Sequence, residues 1–267
     1  MKTFKYILLL FISLILLNCE QIDVIESDIP YNEFYVVNAR LVGGTSDVKV
    51  SFTKSFPIEQ NLQREDVALK DITAYIWSET QGIFPLKYEG DGIYAPTNQL
   101  IINEGVKYEL YGKYNEERIY SVTEVPNRPS VVEAKLQGDY ILCEVIPNNG
   151  SVYAVKYMLN SSDKNFESFS EDIFFEVSEK VTDTLNTIKV RTSSIPLAYF
   201  DNSENYIVKV VLYSFDEAYK DYFSTRENNK PIENIFSEGG GSVYWNVYGE
   251  NTIGLFIGYT KTTIEIK

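Results

Sequence analysis

Apolar and polar positions along the chain fall into three regimes. Residues Tyr6 to Leu17 form an unbroken apolar run behind Lys2 and Lys5. That run is shorter than the roughly 20 residues a helix needs to span a bilayer, and it has the length of a signal-peptide core. Residues 20–30 are polar and acidic and end at Pro30. From Tyr31 onward the pattern alternates with period two, broken by turn residues, which predicts short strands. The first group covers Phe34–Val42, Val48–Phe52, Asp71–Trp77, Ile83–Tyr88, Gly92–Tyr94, Gln99–Ile102, Val106–Gly112 and Arg118–Thr123. Glu89-Gly-Asp-Gly92 and Asn115-Glu-Glu117 are turn signals between them. The second group covers Val131–Leu136, Tyr140–Ile146, Val152–Leu159, Ile173–Val177, Thr187–Val190, Tyr206–Tyr213, Val243–Tyr248, Gly254–Tyr259 and Thr262–Ile266. Asn160–Glu171 is polar and reads as a long loop. One short helix is expected at Ser214–Phe223, with Ser214 as its cap and Phe215, Ala218, Tyr219 and Tyr222 on one face.

Two prolines in Val125-Pro-Asn-Arg-Pro-Ser130 interrupt the alternation, since proline does not join a central ladder. The expected organisation is a signal peptide at 1–18, a tether at 19–30, an N-terminal domain at 31–126 and a C-terminal domain at 127–267. The fold class is all-β and mainly antiparallel. The first domain is expected as an immunoglobulin-like β-sandwich, and the second as a β-rich domain with one short helix.

Charge narrows the partners. The 267-residue chain has a net charge of -14, and removal of residues 1–18 takes away Lys2 and Lys5 and no acid, leaving -16. Such a balance argues against nucleic acid and against an anionic membrane surface as partners. Histidine is absent. That excludes Ser-His-Asp and Cys-His nucleophile systems and the common zinc and non-haem iron sites. No cofactor and no metal site is expected. Of two cysteines, Cys143 lies within an apolar alternation and reads as a buried small hydrophobe.

Leu16-Leu17-Asn18-Cys19 resembles the lipobox of bacterial lipoproteins. The resemblance implies cleavage before Cys19 and a lipid on its thiol. An anchor of two or more acyl chains is physically sufficient, because each buried methylene contributes about 0.8 kcal/mol. The acids after Cys19 resemble an export signal of Bacteroidota surface lipoproteins, and equally suit a solvated linker.

Three further stretches resemble Bacteroidota outer-membrane lipoproteins grouped as a domain of unknown function, DUF 4249. The first is Val36–Val42 leading to Val50–Pro57. The second joins Gly92–Tyr94, Gly105–Leu110 and Ile119–Pro126. The third comprises Tyr219–Tyr222, Pro231–Asn234 and Asn246–Gly249 leading into Gly254–Phe256. The resemblance implies a lipid-anchored β protein, often accompanying a TonB-dependent receptor, and assigns no residue except Cys19.

Candidate chemistry is sparse. Carboxylates such as Asp71, Glu89, Asp91, Glu116 and Glu117 offer pairs for hydrolysis, but no spacing selects one, and solvated surface charge is the plainer reading. Asp91 with Asn98, and Asp201–Glu204, carry oxygen ligands without the spacing of a calcium loop. Gly239-Gly-Gly-Ser242 lacks the residues of a phosphate loop. The aromatic content is the main signal, with 21 Tyr and 15 Phe. Tyr244, Trp245, Tyr248 and Tyr259 cluster late in the chain as a candidate contact surface, since such rings bring large amphipathic area at low entropic cost. Tyrosine also simply fills half-buried strand positions. The expectation is a non-enzymatic binding or accessory protein, lipid-anchored at the outer membrane and acting with a receptor protein there. The alternatives are an adhesin or glycan-binding module and a carboxylate-dependent hydrolase.

Overall fold

Alternation decides which face of each strand turns inward. In β1 (Tyr35–Val42), Val37, Ala39 and Leu41 are buried while Asn38 and Arg40 face out. The same rule orders β2 (Val50–Lys54), β3 (Thr73–Ser78), β4 (Gly82–Gly90), β5 (Ile93–Pro96), β6 (Val106–Tyr114) and β7 (Glu117–Val125). The computed structural model describes residues 31–57, 60–150, 152–161, 167–169, 174–177, 187–192, 194–195, 206–227 and 243–266. Cys19, the expected signal and tether segments, and Gly239–Ser242 lie outside them.

The first seven strands pair in the order β1-β2-β5-β4 and β3-β6-β7, with β4 bonded to both β5 and β3. That is the A-B-E-D over C-F-G arrangement of an immunoglobulin-like sandwich. Asp91-Gly92 closes the β4–β5 hairpin with both φ values positive, 51° and 72°, so a residue tolerant of the left-handed region is needed there. Phe52, Ile76, Tyr94, Tyr108, Leu110 and Ile119 fill the space between the layers. The buried tyrosines keep their hydroxyls bonded. Tyr94 donates to the Leu69 carbonyl at 2.8 Å and accepts from the Ile72 amide at 3.1 Å.

A second core lies between a three-stranded sheet and a wing of the large one. The small sheet has the order β13 (Ile188–Arg191), β9 (Tyr140–Ile146), β8 (Ser130–Gln137). The wing holds β10 (Val152–Ser161), with β11 (Glu167–Phe169) and β12 (Phe174–Val177) on its edge, and β14 (Tyr206–Phe215). Ile141, Cys143, Val145, Tyr153, Val155, Val190 and Leu212 meet there. A helix, α1 (Glu217–Glu227), follows β14 directly.

Strand β16 (Thr252–Ile266) splints the two cores. Residues 252–259 run parallel to β1, and residues 259–266 run antiparallel to β14. Both hydrophobic cores therefore share this strand, with Phe256 in the first and Ile266 packed on the second. Gly254 makes the parallel pairing close. Its φ is +146°, and a Cβ there would collide with the Val37 carbonyl. β15 (Val247–Tyr248) pairs with β7 on the other edge.

Several expected elements differ. Gln99–Ile102 is not a strand. Leu100 and Ile102 are buried, but Ile102 bonds to the turn at Gly44 and Thr45 instead of a ladder. The two runs Gly254–Tyr259 and Thr262–Ile266 are one strand, because small buried Thr260 continues the ladder between them. Val243–Tyr248 shrinks to the two residues of β15. The polar stretch Asn160–Glu171, expected as loop, contains the end of β10 and strand β11. Ser214 is a buried residue of β14 and does not cap α1.

Candidate functional site

The outward face of β14, β16 and β1 gathers aromatic side chains. Register puts Phe215 directly opposite Tyr259, Ile257 opposite Arg40, and Leu255 opposite Asn38. Tyr213 shares the face of Phe215, two residues along β14. The chain then turns into α1, which projects Tyr219 and Tyr222 over the same face. Together these residues line a cleft of about 350 Å³. Phe215 and Tyr219 stack at 4.4 Å, and Phe215 meets Tyr259 at 5.3 Å. Tyr213 lies 6.0 Å from Tyr259, Tyr219 lies 5.9 Å from Tyr222, and Tyr222 lies 5.4 Å from Trp245. Burial raises the hydroxyl pKa of both Tyr259 and Tyr213, and Arg40 beside Tyr259 opposes that rise. These phenols stay neutral hydrogen-bonding tips on apolar rings.

One buried carboxylate sets the position of the helix wall. Asp216 is 6% exposed and accepts a hydrogen bond from the amide of Tyr219 at 3.2 Å, the cap expected of Ser214. It also accepts from the hydroxyl of Thr123 on β7, and that hydroxyl accepts from the Gly258 amide of β16 at 2.7 Å. Burial pushes its carboxyl up to about 7, against the hydrogen bonds that hold it down. Asn246 provides a second clamp. Its side chain accepts from the Phe256 amide at 2.9 Å and donates to the Phe256 carbonyl at 2.7 Å, imitating a strand partner for β16.

A larger cleft of about 840 Å³ lies on the other side of β1 and shares Asn38, Ala39 and Arg40 with the first. Arg64 reaches over it to donate to Ser51 Oγ at 3.1 Å.

A different aromatic set crosses the opposite layer. Tyr75, Tyr111 and Tyr120 stand opposite one another on β3, β6 and β7, with ring centroids 4.9 and 5.0 Å apart. Tyr248 pairs with Tyr120 and extends the row. These spacings are close to the distance between strands, so Tyr75 stacks on Tyr111 and Tyr111 meets Tyr120 at a tilt, as cross-strand neighbours do. The row stabilises the sheet, whereas the rings of the other set line a cleft.

The four aromatic residues singled out in the sequence divide between these two places. Tyr259 lines the cleft, and Trp245 packs on its wall at Tyr222. Tyr244 and Tyr248 stand at the end of the ladder, exposed, with hydroxyls 3.1 Å apart. That hydrogen bond raises Tyr244 to about 12. Among the described residues no group of three or more His, Cys, Asp or Glu side chains is arranged to hold a metal ion. No helix among them is long and apolar enough to cross a membrane.

No family model matches the chain, and no curated protein matches it. Among solved structures, a DUF3823 family protein from Parabacteroides merdae aligns with 68% of this chain and 90% of its own, at 8% identity and a TM-score of 0.22. A pullulanase from Anoxybacillus, complexed with maltotriose, aligns with 67% of this chain at 9% identity and a TM-score of 0.21. This chain spans 24% of that enzyme's length. Likenesses this loose say nothing of what the chain binds.

Arg40, Asn38 and Tyr213 join the site without having been marked in the sequence. Phe215, Tyr219 and Tyr222 had been assigned to one helix face, but Phe215 belongs to β14. Outward positions of alternating strands were visible as polar or aromatic residues. Their convergence depends on β16 lying between β1 and β14, which no local pattern records.

Proposed function

We propose that this chain is a non-enzymatic binding protein, anchored at the outer membrane by lipid on Cys19, that presents the aromatic cleft to a receptor or to that receptor's cargo. The observation that carries this reading is the cleft itself. Five rings and one guanidinium meet on an outward sheet face, the composition of a contact surface. The strongly perturbed carboxylate nearby, Asp216, is engaged by Thr123 and a helix amide, which supports a structural use for it. The resemblance to DUF 4249 lipoproteins supports the address and a TonB-dependent receptor as partner. Purification of the lipidated protein in mild detergent tests the reading. An outer-membrane protein is expected to accompany the wild type and to be lost with Tyr259→Ala. No such partner with either form refutes the receptor reading. Cell fractionation of Cys19→Ala tests the anchor, with loss from the membrane fraction expected.

A second reading, a glycan-binding module, is favoured by the five aromatic rings that line the cleft, because aromatic side chains with polar tips suit the mixed apolar and hydroxyl surface of sugars.

A further inference from the structure

We infer that the cleft and its flanks bind an acidic saccharide, a chain of sugar units bearing carboxylate or sulfate groups; this rests on the glycan reading of the same cleft. The protein as a whole is strongly acidic, at -14, yet this face is not. Arg40, Lys49 and Arg64 line the larger cleft on one side of the aromatic wall, with Asp47 as the acid among its lining residues. On the other side, a smaller depression is lined by Lys156, Lys209 and Lys261, with Glu265 opposite Lys209 in the ladder as the acid beside it. Arg40, Lys49, Lys209 and Lys261 have no ion-pair partner among the described residues. Cations left unpaired in an acid-rich chain and gathered on one face mark where negative charge is welcome.

The aromatic rings lie between the two cationic flanks. β16 and β1 are adjacent and Arg40 stands opposite Ile257, so Lys261 and Arg40 are one strand interval across and four residues along, about 14 Å apart with Tyr259 between them. A ligand that satisfies both features has apolar ring faces at its middle and anionic groups along its length. An acidic saccharide has this form. Nucleic acid also has flat rings and anions, but its dense phosphate charge meets the repulsive field of the rest of the chain.

Isothermal titration of the full chain in detergent decides the matter, with four probes: hexagalacturonate for carboxylate, sulfated maltohexaose for sulfate, maltohexaose as the neutral control and a deoxythymidine oligomer. At least one of the two acidic sugars is expected to bind, more weakly as salt is raised. The double variant Arg40→Gln/Lys261→Gln is expected to lose at least tenfold in affinity with an unchanged melting temperature. Lys113→Gln, on β6 away from this face, is expected to bind as the wild type does. Binding of maltohexaose alone, lost in Tyr259→Ala, would overturn the acidic preference while keeping the glycan reading. Tighter binding of the oligonucleotide would overturn the saccharide. Absence of binding to all four probes would overturn the inference and the glycan reading together, and retention of the outer-membrane partner would leave the receptor reading intact.

Discussion

Replacing Asp216 with Asn separates its charge from its hydrogen bonds. The wild-type carboxyl, ordinarily near 3.8, is pushed up to about 7 by burial. In the unfolded chain it loses its proton near the ordinary value. Between roughly pH 4 and pH 7 the folded protein therefore holds a proton that the unfolded chain has released. By linkage, this group makes stability fall as pH rises through that window, by at most about 1.4 kcal/mol per pH unit. Above pH 7 the folded carboxylate is charged as well and the fall levels off. An asparagine at 216 imitates the protonated acid: its oxygen accepts from the Tyr219 amide, its NH2 takes the place of the oxygen that faces Thr123, and it has no charge to desolvate. Urea unfolding of both proteins from pH 4.5 to 8.5 measures the difference. The two are expected to be close at pH 4.5, and Asp216→Asn to be the more stable by a few kcal/mol at pH 8. Parallel stability curves, or an asparagine variant that weakens relative to wild type as pH rises, would refute the assignment of a buried, raised carboxyl.

Three further substitutions probe the frame of the site. Gly254→Ala forces a Cβ against the Val37 carbonyl and is expected to cost at least about 3 kcal/mol, read as a lowered denaturation midpoint. Asn246→Ala leaves the buried amide and carbonyl of Phe256 without their side-chain partner and is expected to cost about 2–4 kcal/mol by the same assay. Cys143 is fully buried, and burial pushes its thiol to about 12. A thiol reagent at pH 8 should leave it unmodified in the folded protein and label it at once in denaturant; rapid labelling of the native chain would contradict its place in the second core.

Period-two patterning was enough to place Tyr140–Ile146 to the residue and most other strands to within two or three, because each of these strands buries one face and exposes the other. It failed at Gln99–Ile102, where burial comes without a ladder. It also failed between Tyr259 and Thr262, where Thr260 and Lys261 resembled a break in the apolar rhythm although Thr260 faces inward. The helix was legible from its aromatic spacing, but its first residue was not. Ser214 and Asp216 both suit a cap, and only the end of β14 decides between them. The site was half legible. Tyr259 and Trp245 stood out as large aromatics, whereas the relevance of Arg40 follows from a parallel pairing with residues more than two hundred positions away. Asn246 gave no local sign of its clamp on Phe256, since bonds of that kind depend on which strand passes beside it.

The division of β16 has a mechanical consequence. Its first half is bonded to β1 and its second half to β14, and the cleft sits where the two halves meet at Tyr259. Suppose a captured polymer pulls on the cleft while the chain is held by the segment before Tyr35. The load then passes from β14 through β16 into β1, along the strand axes. Eight consecutive residue pairs between β1 and β16 resist it together, in shear, and none is peeled open ahead of the others. A parallel strand pair loaded from opposite ends is thereby at its strongest along that direction of pull.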